Sequence, residues 1–332
     1  MRRPRGRRFG KQDEMDNPDA GDTTTGMRPA FGILLKVVSV AIFVGMSTLI
    51  KSSSGVPAGQ IVFFRSAFAI IPILIFLAFR RELATAFRTS RPVSHVVRGL
   101  VGVSAMGLGF FGLTLLPLPE VIMLGYAQPL MVVALSALVL GETVRLFRWS
   151  AVVVGLAGVL IIVWPRLTLL SGDAPLAQGD AIGVVAVLSS AVFAAFAAIL
   201  IRRLVKTEPS ATIVLWFSLN ASLLALLTLP FGWVALTNWQ AFALIAAGIS
   251  GGIGQILMTE SYRHAEVSTI APFEYTSMIL GIISGYLFFG DVPTANMIVG
   301  GLIVVGAGIF IIWREHRLGL ERGKARRLTP PQ

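Results

Sequence analysis

VGVSAMGLGFFGLTLLPLPEVIMLGYAQPLMVVALSALVLGETVRLFRWSAVVVGLAGVLIIVWP, residues Val101 to Pro165, is the stretch on which the reading of this chain turns. Two apolar runs meet at the turn Leu116-Pro117-Leu118-Pro119-Glu120. The pair Gly141-Glu142 ends the second run, and a third run closes on Trp164-Pro165. A shift of 149 residues places Gly99 on Gly248, Gly102 on Gly251, Tyr126 on Tyr275, Gly141-Glu142 on Gly290-Asp291 and Trp164 on Trp313. Identity between the copies is low, yet the ends of the runs coincide. Two copies of one unit are therefore expected, at 31–165 and 180–313. A linker at 166–179 joins them, and basic tails at 1–30 and 314–332 flank them.

Composition decides the solvent. The chain has 332 residues, 55% hydrophobic and 14% charged, and its mean hydropathy is +0.78. A soluble domain carries about a quarter charged residues; this chain cannot cover itself in water and belongs in a bilayer. The net charge of +11 resides in the tails and in alternate short loops. It forms no face interleaved with aromatics, which argues against nucleic acid as a partner. With no Cys, disulfides, thiolate metal sites and Cys nucleophiles are excluded together.

Residues 1–27 are polar and rich in Arg, Asp, Gly and Thr, and are expected to be disordered. Acidic residues separate the Arg cluster from the first apolar run, unlike a signal peptide. Ten apolar segments follow, near 31–50, 57–79, 95–115, 119–140, 148–165, 180–201, 211–231, 239–258, 267–289 and 294–313. Each is long enough to cross about 30 Å of hydrocarbon as a helix. The fold class is thus an all-α membrane protein of ten transmembrane helices in two five-helix repeats. With a cytoplasmic N-terminus, the inside connections hold Arg80, Arg81, Arg88, Arg91, Arg145, Arg202, Arg203, Lys206 and Arg263 plus both tails, and the outside loops hold Lys51 and Arg166. The positive-inside rule then places both termini in the cytoplasm. Five spans per unit is an odd number, so the second unit enters inverted, the arrangement that lets one central site face either side.

Deep polar groups are the candidate site. Arg65 lies about eight residues, roughly 12 Å, from the outer end of the second span. A charge at that depth needs an interior partner or a wet cavity; the alternative is snorkelling. Glu274, in Pro272-Phe273-Glu274-Tyr275, reads as a proton-coupling carboxylate, as the counter-charge to Arg65, as part of a buried structural pair, or as a carboxyl kept neutral by burial. Pro272 frees a backbone carbonyl beside it. Tyr126 and Tyr275 occupy equivalent positions and should face one another across the centre, either to stack a flat ring or to pack helices. Gln128, Gln255 and Asn220 must face the bundle interior, as helix glue or substrate contacts. Lys36, Arg98, Glu120 and Glu260 lie near span ends, where snorkelling or an i,i+3 pair of Glu260 with Arg263 is expected. His95 and His264 are expected at the cytoplasmic interface. Phe110-Phe111 reads as core packing, and the glycines of the third and eighth spans as close helix approaches. No P-loop, zinc motif or EF-hand is present, so neither enzyme activity nor a cofactor is expected.

Several short motifs occur together in order: Phe63-Phe64-Arg65, His95 to Leu100 as HxxRGL, the LPLPE turn, Gln128-Pro129-Leu130, Leu140-Gly141-Glu142, Ala271 to Ser277 as APFEYTS, and Phe288 to Asp291 as FFGD. Over about residues 31–315 this pattern resembles the drug/metabolite transporter superfamily, in the branch with two EamA repeats. Within it the chain is similar to S-adenosylmethionine uptake carriers and to the riboflavin uptake proteins of rhizobial bacteria. The resemblance implies an inner-membrane secondary carrier of a small-molecule substrate. Riboflavin or a similar flat heterocycle is the first expectation, with S-adenosylmethionine uptake or metabolite efflux as alternatives. An intramembrane enzyme or a receptor is the reading from another class. Arg65, Tyr126, Gln128, Gln255, Glu274 and Tyr275 are the expected substrate-binding set, with membrane lipid as the surrounding partner.

Overall fold

A computed structural model describes residues 29–140, 146–169, 175–204, 207–265 and 270–328. The expected disorder of 1–27 lies outside these. The first unit holds α1 (Pro29–Lys51), α2 (Ala58–Phe79), a short α3 (Leu83–Ala86), α4 (Pro92–Leu115), α5 (Leu118–Gly125), α6 (Ala127–Leu140) and α7 (Leu146–Leu169). The second holds α8 (Pro175–Leu204), α9 (Ser210–Leu226), α10 (Asn238–His264), a 3-10 turn (Ala271–Tyr275), α11 (Thr276–Phe289) and α12 (Ala295–Leu328). No strand occurs among the described residues.

Local chemistry sets the helix ends. Pro57 and Pro209 precede α2 and α9 with nearly the same extended backbone, and Pro92 opens α4 at a position where no amide donor is needed. Thr237 and Gln240 form a capping box at the start of α10. Gly290, the glycine of FFGD, takes φ +69° and closes α11, with the amide of Asp291 returning to the carbonyl of Gly285.

Eight helical segments among the described residues are long and apolar enough to cross a membrane. The other two expected spans differ from the sequence reading. The seventh, expected over 211–231, ends at Leu226, because Pro230 and the left-handed Gly232 (φ +95°) impose a 3-10 turn. The ninth is a 3-10 turn followed by a 14-residue helix. Helix also extends into segments read as connections: α7 reaches Leu169, α8 begins at Pro175, and α12 continues to Leu328. Large apolar side chains such as Leu138, Val153, Leu160, Val185, Leu223 and Leu287 are exposed around the bundle. Water would penalise such a surface, and lipid does not.

Interhelical contacts carry the signature of two exchanged copies. α1 packs on α10 as α8 packs on α4; α2 packs on α10 as α9 packs on α4; α1 meets α11 as α8 meets α6. The self-paired contacts α2–α9 and α7–α12 lie on the pseudo-twofold. Glycines make the closest of these approaches possible. A Cβ on Gly248 would come within 2.7 Å of the Phe64 carbonyl on α2, and one on its repeat mate Gly99 within 2.9 Å of Asn220 Cβ on α9. Gly158 and Gly300 do the same at the α7–α12 crossing.

Candidate functional site

Both broken spans break at a tyrosine. Tyr126 separates α5 from α6, and Tyr275 ends the 3-10 turn before α11. Pro129 has no amide to return to the carbonyl four residues back, at Gly125, and Pro272 disturbs the second break in the same way. Such interruptions at membrane depth are tolerated where backbone lines a cavity.

A cavity of about 760 Å³ lies there, lined by Lys36, Tyr126, Gln128, Glu274, Tyr275 and Ser277 among others. Its aliphatic wall comes from α1, α6, α8, α10 and α12, including Ala198, Met258 and Ile312. The Tyr126 and Tyr275 rings meet edge to face with centroids 5.1 Å apart and an interplanar angle of 67°. They face one another, as their repeat positions predicted. The Tyr126 hydroxyl shares a hydrogen bond with Ser277. The Tyr275 hydroxyl lies over Gly308, where any Cβ would displace it.

The ion pair at the cavity is Lys36 with Glu274. This corrects the expectation that Glu274 is the counter-charge to Arg65. It also corrects Lys36, read as a snorkelling end residue: its side chain is 1% exposed, whereas that of Glu274 is 49% exposed and open to the cavity. Arg65 is buried beside Gly251 and Met46. Met46 lies ten residues along α1 from Lys36, about 15 Å, which rules out a direct Arg65–Glu274 bridge. Arg65 and Gln255 are not among the residues that line the cavity, and Gln255 is half-buried on α10. Of the six expected site residues, the structure brings together Tyr126, Gln128, Glu274 and Tyr275. The sequence reading missed Lys36 as a site residue. Its depth of seven residues inside the apolar α1 was the signal available.

Other expectations change through burial. Arg98 is 8% exposed and lies on the ring of Phe217, 3.5 Å from its centroid, instead of snorkelling. Glu120 and His95 are each 1% exposed, packed inside the bundle. Glu260 pairs across helices with Arg80 at 3.2 Å; the side chain of Arg263 lies outside the described residues. Asn220 donates to the His95 carbonyl at 3.4 Å and so joins α9 to α4. Phe110 is core, and Phe111 is 39% exposed.

The bundle end remote from the cavity is tied. Lys51 Nζ donates to the Leu116 carbonyl at 2.6 Å, and the Leu118 amide donates to Asp291 Oδ2 at 3.1 Å. Gln60 exchanges two hydrogen bonds with the Val234 backbone, and Thr48 meets Ser284 at 2.6 Å.

A two-unit helical bundle whose broken spans frame a largely apolar cavity with a charged pair in its wall has the architecture of a membrane transporter. The chain belongs to the EamA-like transporter family, whose profile matches residues 30–164 and again 181–314. It is 33% identical to the pseudopaline exporter CntI of Pseudomonas aeruginosa, over 84% of this chain and 94% of the exporter. It is 27% identical to a riboflavin transporter of Rhizobium johnstonii, over 79% and 83% of the two chains. To an S-adenosylmethionine uptake transporter of Rickettsia prowazekii it is 23% identical, over 78% and 84%. A solved crystal structure, 20% identical, shares the fold with a TM-score of 0.60 and covers 87% of this chain and 99% of its own.

Proposed function

We propose that this chain is an inner-membrane secondary carrier with ten spans and both termini in the cytoplasm. It moves a small polar metabolite with a planar ring by alternating access through the Tyr126–Tyr275 cavity. The observation that carries this reading is the cavity itself: two repeat-related aromatic rings stand at the helix breaks, beside a half-open carboxylate backed by a buried ammonium. The rings offer stacking faces, Gln128 and Ser277 offer orienting hydrogen bonds, and Glu274 offers a charge. The lining residues of α8, α10 and α12 lie towards Leu204, His264 and Arg314, while those of α1 run along the helix from Lys36 to Ser47. With the basic ends in the cytoplasm, this is the inward-facing state, and the contacts of Lys51 and Asp291 close the outer side.

Riboflavin uptake is the first substrate assignment, because a flat neutral heterocycle matches the aromatic wall. The carboxylate of Glu274, open to the cavity, favours a second reading, a substrate carrying an amino or sulfonium group, such as S-adenosylmethionine or a zwitterion moved outward. Proteoliposomes loaded with the purified protein and supplied with labelled riboflavin, with or without excess S-adenosylmethionine, separate the two. Saturable riboflavin uptake untouched by the competitor supports the first. Transport of S-adenosylmethionine alone supports the second. Transport of neither, with a panel of zwitterions also inert in both directions, removes the reading.

A further inference from the structure

Ten buried side-chain nitrogen and oxygen atoms among the described residues lack a hydrogen-bond partner, and five of them belong to three residues: Arg65, His95 and Arg98. Arg65 on α2 and Arg98 on α4 are each 8% exposed, and His95 is 1% exposed. Neither guanidinium forms an ion pair or a hydrogen bond with any described residue, and the two charges are near enough to repel one another. A guanidinium cannot shed its proton to escape this. Burying one unpaired cation is costly, and burying two within electrostatic reach of each other costs more.

What is left open is almost wholly donor in character. Arg98 lies with its face on Phe217, so its edge is free, and its Nε and Nη1 are unmet. Arg65 Nε is unmet beside Gly251. Trp216 Nε1, on α9 one residue before Phe217, is unmet as well, and its ring lies against His95. The repeat provides the space. Gly102 and Gly251 are repeat mates, and a Cβ on either would come within 3.2 Å of the Arg98 or Arg65 guanidinium nitrogens respectively.

We propose that Arg65 and Arg98 form a binding site for a small monovalent anion, between α2, α4, α9 and α10. Planar guanidinium edges bind carboxylate in a bidentate manner and bind halide less directionally, so the ligand is either the carboxylate of an organic acid or an inorganic anion. The site lies outside the Lys36–Glu274 cavity and stands whether or not the substrate assignment above holds.

Thermal unfolding of the full-length protein in detergent tests it without any transport readout. Acetate and chloride are titrated separately against a bulky sulfonate at constant ionic strength. A ligand that binds the folded state raises the midpoint with the logarithm of its concentration. The expected result is a rise with at least one of the two anions that is lost in Arg65→Gln and in Arg98→Gln. The rise is kept in Arg80→Gln, which removes a partly exposed arginine elsewhere. Acetate alone identifies a carboxylate site; a response to chloride as well identifies a general anion site. Should a glutamine variant not fold, Arg65→Lys and Arg98→Lys keep the charge without the planar edge and bind acetate at least several-fold more weakly. No midpoint shift with either anion in the wild type overturns the proposal, as does a shift that survives in both arginine variants.

Discussion

Glu274→Gln and Lys36→Met break one ion pair from its two ends, and the structure makes the costs unequal. Lys36 is 1% exposed and Glu274 is 49% exposed. Removing the carboxylate takes its cavity-side counter-charge from an ammonium ion that is almost fully buried. Breaking a fully buried pair in this way costs about 3–5 kcal/mol, and solvent reaching the Glu274 side discounts it to about 2–3 kcal/mol. Removing the ammonium leaves a carboxylate that is already half exposed, while Met refills the volume of the Lys stem. That change costs about 0–1 kcal/mol. The double variant leaves no charge behind and should recover most of what Glu274→Gln loses, a coupling that a double-mutant cycle measures directly. Thermal midpoints of the purified wild type, both single variants and the double variant are compared alongside transport in proteoliposomes. The expected order of stability places Glu274→Gln clearly lowest, with the other two near wild type and all three variants defective in transport. A Glu274→Gln protein that unfolds at the wild-type temperature, or a Lys36→Met protein that is the less stable of the two, would refute the argument from burial.

Further outcomes follow from local geometry. Gly308→Ala places a methyl group on the Tyr275 hydroxyl and 2.9 Å from its Cζ. Overpacking of this kind costs about 1–3 kcal/mol, and adding Tyr275→Phe should restore part of the thermal midpoint. Arg81 holds φ +57° just past the end of α2, so Arg81→Gly should raise stability by about 1 kcal/mol, read as a higher midpoint. In the connection before α9, burial pushes the Glu208 carboxyl up, but hydrogen bonds from Thr89, Ser90 and the Ser90 amide, with the charge of His95, hold it below the usual carboxylate range. Its folded value is the depressed one. Its stabilisation is therefore present above the ordinary carboxylate value and lost as pH falls through the lowered one. Midpoints measured from neutral to acid pH should fall less steeply in Glu208→Gln than in the wild type.

Much of this molecule was legible in one dimension. The fixed thickness of a bilayer makes span length a sequence property, and the 149-residue repeat carries Gly99 onto Gly248 and Tyr126 onto Tyr275. Both pairs then occupy matched places: the glycines at the α4–α9 and α10–α2 approaches, the tyrosines ring against ring. Gly290 ended its helix as its place in FFGD suggested. The short α9 and the breaks at Tyr126 and Tyr275 were less legible, because an apolar run looks continuous whether or not Pro129, Pro230 or Pro272 interrupts its hydrogen bonds.

The charges divide along the same line. Sequence determined that Arg65 and Glu274 are charges set well inside apolar runs. It could not determine their partners, since depth along one helix says nothing about which side chains neighbouring helices bring to that level. Lys36 meets Glu274 across 238 residues of chain, and Arg65 is left within electrostatic reach of a second arginine instead of paired with a carboxylate. Only the crossing of α1, α10 and α11 decides the first, and only the packing of α2 against α4 and α9 decides the second.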